Sequence, residues 1–347
     1  MLVDFAMNAG RGADVIRVAD VEFLPEPVAI SEQSWPDETV PLLCTNTFAF
    51  NHEKYIGECL EGMLRQKTTF PVRICIHDDA STDKTAEVIR SYQEAYPGKI
   101  WAFFQPENTF LHPDRIQLQR EYRAWTEAGR YIAMCEGDDY WMDPLKLQKQ
   151  VELLEMHPGI NLCVHDVEVS YEGIPVTREQ FYDVPFDGDF RFTYEDYFSN
   201  HFFHTASKVF RVPADLEFYH EVIGRVRAGD LVSNHLFLAS GDGYYIAEKM
   251  AFKRRNQGGY TKSALYQDSG KRRLDWYNVW KEIERFAPKR MKQNVWHMLA
   301  DIERQFVKSM FQKRRFGSAL KYGLLAVAHH PSWFIGKISA LTGSNKL

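Results

Sequence analysis

Apolar positions along the chain fall into two alternating spacings, and the alternation predicts the architecture. Pro41-Leu42-Leu43-Cys44-Thr45 is a short, nearly unbroken apolar run of the kind that forms a buried strand, and it opens into a polar turn ending at Asn51-His52. Tyr55, Ile56, Cys59, Leu60, Met63 and Leu64 then recur at a period near 3.6 residues, which predicts a helix with one buried face. The cycle repeats. Val72-Arg73-Ile74-Cys75-Ile76 predicts a second strand, ending in His77-Asp78-Asp79-Ala80-Ser81-Thr82-Asp83. A second helix turns Thr85, Val88, Ile89, Tyr92 and Tyr96 inward, with Asp83 placed to favour its amino end. Ile100 to Phe104 predicts a third strand, Ile116 to Ala128 a helix, and Tyr131-Ile132-Ala133-Met134 a fourth strand. Strand and helix in strict alternation is the signature of an α/β chain with a mostly parallel sheet.

Beyond residue 160 the pattern loosens. Residues 160 to 215 read as mixed strands and loops, with strands at Ile160 to Val164 and Ala206 to Arg211. An apolar helix passes through Leu236, Phe237 and Leu238, and Tyr244 to Ala247 predicts another strand. From about residue 270 the chain is helical: Met291, Val295, Met298, Ile302 and Phe306 share one face, as do Leu320, Leu324 and Val327. Three units follow: an N-terminal extension over 1–38, an α/β domain over 39–265, and a C-terminal helical region over 266–347.

Composition narrows the function. A chain of 347 residues that is 45% hydrophobic and 14% aromatic buries a large core. Its net charge of −5 gives no support for a nucleic-acid binder working by phosphate neutralisation. The five cysteines lie inside apolar segments without metal-type spacing, which fits reduced core thiols in a cytoplasmic protein. Neither a secretory signal nor an apolar run of transmembrane length is visible. Lys308, Lys313, Arg314, Arg315 and Lys321, with Trp333, Phe334 and Ile335 behind them, read either as a peripheral contact with the inner membrane face or as the solvated face of a helical cap.

The chemistry gathers at Cys135-Glu136-Gly137-Asp138-Asp139-Tyr140-Trp141, at the carboxyl end of the fourth strand, where open α/β sheets place their ligands. Three acids this close repel one another and call for a cation, and oxygen ligands suit a hard ion such as Mn²⁺ or Mg²⁺. The plain alternative is an acidic surface turn. Asp143-Pro144 reads as a cap and first residue of the helix that follows, holding the acids between two rigid elements. Lys253-Arg254-Arg255-Asn256-Gln257, before Gly258-Gly259, reads as a mobile anion clamp or as an exposed basic turn.

With these residues laid out, the stretch from about Pro41 to Gly259 resembles the family 2 glycosyltransferases. The resemblance rests on Phe50-Asn51-His52-Glu53-Lys54-Tyr55-Ile56, on His77 to Asp83, and on Glu136 to Trp141 leading into Asp143-Pro144-Leu145-Lys146-Leu147. It implies a GT-A (Rossmann-like) fold with a mostly parallel sheet flanked by helices. It implies nucleotide contacts at Thr45, Asn46, Asn51, Asp78 and Asp79, and a divalent metal on the diphosphate held by Glu136 and Asp138, across Gly137, with Asp139 adjacent. It also implies a catalytic base late in the domain at the head of a helix, which falls on Asp230 after Gly229, with Asp166 and Glu248 next in line. The family's Tyr-Arg-x-His segment corresponds to Lys253-Arg254-Arg255-Asn256, a departure at its first and last positions that leaves Arg254 and Arg255 to meet the diphosphate. The implied partners are a nucleotide-diphosphate sugar and a saccharide or lipid-linked saccharide acceptor of a bacterial surface polysaccharide. The implied reaction is a single displacement with inversion. Two other readings compete: a nucleotidyltransferase, disfavoured because Thr45 to His52 lacks a glycine-rich loop, and a non-catalytic carbohydrate-binding relative.

Overall fold

A computed structural model describes residues 22–36, 39–171, 174–176, 187–255, 268–312 and 316–330. Asn256, Gly258-Gly259, Lys313 to Arg315 and Trp333 to Ile335 lie outside the described residues, as do residues 1–21 of the N-terminal extension. In chain order the strands are β1 (Val28–Ala29), β2 (Leu43–Ala49), β3 (Lys67–Thr68), β4 (Val72–Asp78), β5 (Ile100–Phe104), β6 (Tyr131–Met134), β7 (Tyr140–Trp141), β8 (Ile160–Tyr171), β9 (Ile174–Val176), β10 (Phe190–Phe192), β11 (Val209–Arg211) and β12 (Asp242–Arg255). The helices are α1 (Ile56–Leu64), α2 (Thr85–Ala95), α3 (Arg115–Leu118), α4 (Arg120–Thr126), α5 (Lys146–Met156), α6 (Tyr194–Ser199), α7 (Leu216–Gly224), α8 (Gly229–Ser240), α9 (Ser269–Phe286), α10 (Lys292–Gln312) and α11 (Phe316–His329).

The main sheet runs β10-β12-β8-β11-β6-β2-β4-β5, with β7 on β12 and β9 on β8. Its β6-β2-β4-β5 side is parallel throughout, which the strand–helix alternation foretold. β11 is antiparallel to both β6 and β8, while β12 returns parallel to β8. One buried cluster fills the layer under α1, α2 and α5, with Ile56, Leu60, Met63, Ile74, Ile76, Ile89, Leu147 and Val151. A second joins Ile132, Leu162, Phe210 and Tyr245 of the sheet to Val279, Trp280 and Ile283 of α9 and Val295 and Leu299 of α10. The C-terminal helices therefore complete a core with the sheet.

Several elements differ from the periodicity. β2 runs past Thr45 to Ala49, because Asn46 and Thr47 find long-range partners that let polar residues stay in a buried strand. The helix expected over Ile116 to Ala128 breaks at Gln119 into α3 and α4. Ala206 and Ser207 form a short 3-10 turn over Thr205–Ser207 ahead of β11. α5 begins at Lys146, so Asp143 and Pro144 precede it; the Asp143 carboxylate instead accepts from the Leu145 N–H at 2.7 Å and from Lys149 at 2.8 Å. Asp83 behaves as expected, accepting from the Thr85 N–H at 2.9 Å ahead of α2.

Candidate active site

The acidic motif leaves β6 at Met134 and turns back into β7, and every part of that turn is fixed. The Gly137 N–H donates to the Phe48 carbonyl at 3.0 Å. A Cβ on Gly137 would lie 2.8 Å from His52 Nδ1 and 3.1 Å from both Ala49 Cβ and the Phe48 carbonyl oxygen, so only glycine fits so close to β2. Trp141 is buried and donates its indole N–H to the Ala206 carbonyl at 3.0 Å, tying the motif to the Thr205–Ser207 turn. β7 pairs with β12 in the register Phe252↔Tyr140, and this ladder delivers the end of β12 to the acids.

Asp139 is fully buried and accepts from the Arg254 N–H at 2.8 Å. The Lys253 ammonium lies between the acids, 3.3 Å from Glu136 Oε2 and 3.4 Å from Asp139 Oδ2. His204, on the loop before the turn, faces the same pair, with Nε2 3.9 Å from Glu136 and Nδ1 3.8 Å from Asp139. Burial pushes the Asp139 carboxyl well above the usual range, with Lys253 opposing and Asp138 and Glu136 reinforcing the rise. Burial also presses on Lys253, but Glu136, Asp139 and Asp138 outweigh it and hold the ammonium above its ordinary value. His204 is driven well below its ordinary value by burial, with Lys253 and Lys208 adding to the effect, so it is neutral. Its Nδ1 accepts from the Ala206 N–H at 3.2 Å, which places its proton on Nε2, facing Glu136.

Among the described residues, Glu136, Asp139 and His204 bring ligand-type atoms within 4.8 Å of one another. The two carboxylates fit Mn²⁺ or Mg²⁺, the ions the sequence expects, while the imidazole is a softer donor than Mg²⁺ takes. The grouping differs from the expected trio in that His204 stands in it where Asp138 was placed. Asp138 is half-buried, and its backbone carbonyl accepts from Arg254 Nη1 at 2.9 Å.

The surroundings of five other expected residues are also defined. The Thr45 hydroxyl lies inside the sheet, donating to the Cys75 carbonyl at 3.0 Å and accepting its N–H at 2.9 Å. Asn46 is buried beside it and accepts from the Tyr122 hydroxyl at 3.0 Å. Both lie below the strand end because β2 continues, and the crest belongs to Ala49, paired with Asp78, and to the exposed Phe50. Asp79 is spent on the neighbouring loop: its Oδ1 accepts from the Thr109 N–H at 2.8 Å and from the Thr109 hydroxyl at 2.7 Å. Arg254 and Arg255 end β12 in register with Ser170 and Tyr171, and the Arg254 guanidinium pairs with Glu58 and lies 4.7 Å from the Tyr140 ring centre.

Asn51 and Asp78 do reach the crest. Asn51 takes a left-handed backbone (φ 56) and accepts the Thr82 N–H at 2.8 Å, binding one strand-end loop to the next. Asp78 Oδ2 accepts from the Ser81 N–H at 3.2 Å, whereas its Oδ1 is buried with no hydrogen-bond partner among the described residues. Asp230 is the second residue of α8 and exposed, and Thr205 Oγ1 stands 3.5 Å from its Oδ2. The N-cap of α8 is Ala228. Sequence reasoning missed His204, Lys253 as a partner of the acids, and Lys208. Lys208 is fully buried, bonded to Asn234 at 3.1 Å and lowered by burial, with Asp230 and Glu136 pulling the other way.

An α/β sheet with an acidic turn at its crest and a strand-end carboxylate beside it is the GT-A arrangement. The chain belongs to glycosyl transferase family 2, whose profile matches residues 47–218. Among individual proteins, it is 43% identical over 126 residues to the uncharacterised protein Rv1520 of Mycobacterium tuberculosis, which is 36% of this chain and 35% of that protein. The chain thus spans about a third of the length of that curated relative. TarS of S. aureus (residues 1–349, in complex with UDP-GlcNAc) superimposes over 75% of this chain and 71% of its own at TM-score 0.53 and 15% identity. The mannosyltransferase PcManGT of Pyrobaculum calidifontis, in complex with GDP-Man and Mn²⁺, does so over 90% and 85% at TM-score 0.50 and 14% identity. At such identities both speak for the fold.

Proposed function

We propose that this protein moves a sugar from a nucleoside diphosphate sugar to an acceptor hydroxyl by a single displacement with inversion. The observation that carries the reading is the shared rim: the Thr205–Ser207 turn touches the acidic motif through Trp141 and Ala206 and touches Asp230 through Thr205. Donor chemistry on one side and one exposed carboxylate on the other is what an in-line displacement requires. Asp78, with its unpartnered oxygen, and the exposed Phe50 ring lie where the nucleotide base would rest, and UDP-GlcNAc and GDP-Man in the two similar structures support a nucleoside diphosphate donor. Asp230 takes the proton as the acceptor oxygen bonds to the anomeric carbon, while the bond from that carbon to the diphosphate breaks. Lys253, Arg254 and Arg255 border the leaving group with positive charge. Glu136, Asp138, Asp139 and His204 are the residues that would hold Mn²⁺ or Mg²⁺, whose charge assists departure of the diphosphate.

The acceptor is a saccharide or lipid-linked saccharide of a surface polysaccharide, met at the cytoplasmic membrane face. Among the described residues no helix is long and apolar enough to cross a membrane. Exposed Leu320 and Leu324 beside Lys321 on α11 are where such a lipid surface would be touched. The test is a panel of nucleotide sugars, with and without vesicles carrying the acceptor, read by release of nucleoside diphosphate. One donor should release diphosphate in an acceptor-dependent way. A panel in which no donor turns over sinks the transferase reading.

A further inference from the structure

The acidic motif already holds a cation, and it is covalently tethered. Lys253 reaches Glu136 and Asp139 at 3.3 and 3.4 Å, and its side chain is 17% exposed. Its placement is not a side-chain accident. β12 is fixed on one edge by β8 and on the other by β7, in the register Lys253↔Val169 and Phe252↔Tyr140. The next residue, Arg254, donates its N–H to the same Asp139 carboxylate. Asp139 thus accepts a backbone amide and faces an ammonium, while His204 presents a proton, not a lone pair, toward Glu136. Each of the three groups that offer ligand atoms is therefore engaged in a way that a metal ion would have to undo.

We propose that the Lys253 ammonium is a tethered counter-ion in the metal position, so that lysine and divalent ion exclude one another at Glu136 and Asp139 and the ion joins only together with the diphosphate. The proposal rests on the transferase reading for the identity of that diphosphate, but its physical basis is local. Lys253 sets one positive charge against both Glu136 and Asp139, and its removal takes that charge from both. A divalent ion entering alone must displace one positive charge and reverse the His204 tautomer. A nucleoside diphosphate brings negative charge of its own, which can take up the displaced ammonium and share the ion.

The experiment is a calorimetric titration of MnCl₂ into the full chain, with no nucleotide present, on the wild type, Lys253→Met and Lys253→Arg. The wild type should bind Mn²⁺ more weakly than about 1 mM, the weak end of carboxylate sites. Lys253→Met should bind at least tenfold more tightly, and its lowered melting temperature in EDTA should rise again with Mn²⁺. Lys253→Arg keeps the charge and should stay weak. Tight binding by the wild type alone overturns the proposal, whatever the variants do. So does Lys253→Met binding no better than wild type while its circular dichroism shows it folded. Because no arm contains a sugar nucleotide, a silent donor panel leaves these titrations standing, and a failed titration leaves turnover standing.

Discussion

In the proposed reaction, Asp230 is the residue on which the transfer step turns. Its carboxylate is exposed in the first turn of α8, and its neighbours are Thr205 and the buried Lys208. Asp230→Asn keeps the shape but cannot accept a proton. Turnover should fall by roughly 10²-fold or more, while loss of a charge near the helix terminus costs about 0.3–1 kcal/mol. Initial rates with the active donor, set beside a melting curve, decide it. A variant that keeps near wild-type turnover makes Asp230 a dipole partner only, and moves the search to Asp166 and Glu248.

At the scale of elements, the parallel half of the sheet was legible because each strand there is a compact apolar run followed by an amphipathic helix. The acidic turn was legible too, because three carboxylates after a buried strand have few structural uses. The extension of β2 was hidden by Asn46 and Thr47, whose burial depends on the Tyr122 hydroxyl, 76 residues from Asn46. Lys253 was read with the basic stretch and not with the acids, since it lies 117 residues from Glu136 and reaches it through the β7–β12 ladder. His204 carries no local pattern at all; it arrives by the hydrogen bond between Trp141 and Ala206. α7 is a different sort of omission. Leu216, Tyr219, Val222 and Ile223 have helical spacing, and Asp215 caps the Phe218 N–H at 2.9 Å, so the signal lay in the residues themselves.

Across the whole molecule, two buried aromatic clusters enclose histidines held neutral. His77 sits among Phe48, Phe103 and Tyr122 with neither ring nitrogen bonded among the described residues, and burial, opposed by Asp79, lowers it to about 4. His235, among Tyr194, Tyr197 and Trp280, is lowered to about 3 by burial and by His201. An unfolded chain protonates these imidazoles near pH 6.5, whereas the folded one resists until about 4 and about 3. Their contribution to stability is therefore complete above pH 6.5 and drains away as pH falls, at up to about 1.4 kcal/mol per pH unit for each histidine. Urea midpoints measured at pH 7.5, 5.5 and 4.5 should fall steadily, and His77→Phe should make the decline shallower. An unchanged slope in that variant would assign the acid sensitivity to other groups.

The short strap before the sheet has a consequence for where the folding unit begins. Lys99, at the foot of β5, donates to the carbonyls of Ile30, Ser31 and Gln33 at 2.9, 2.8 and 2.6 Å. Ile30 is buried in the main core, and β1 pairs with β3. The family profile begins at residue 47, and the sequence pattern suggests a domain start at 39, yet a fragment cut at either point would strip three acceptors from a part-buried ammonium and remove Ile30 from the main core. The smallest piece that can fold to this structure therefore reaches back to at least Val28. A fragment beginning at residue 39 that melts with the same cooperativity and midpoint as one beginning at residue 22 would show the strap to be dispensable.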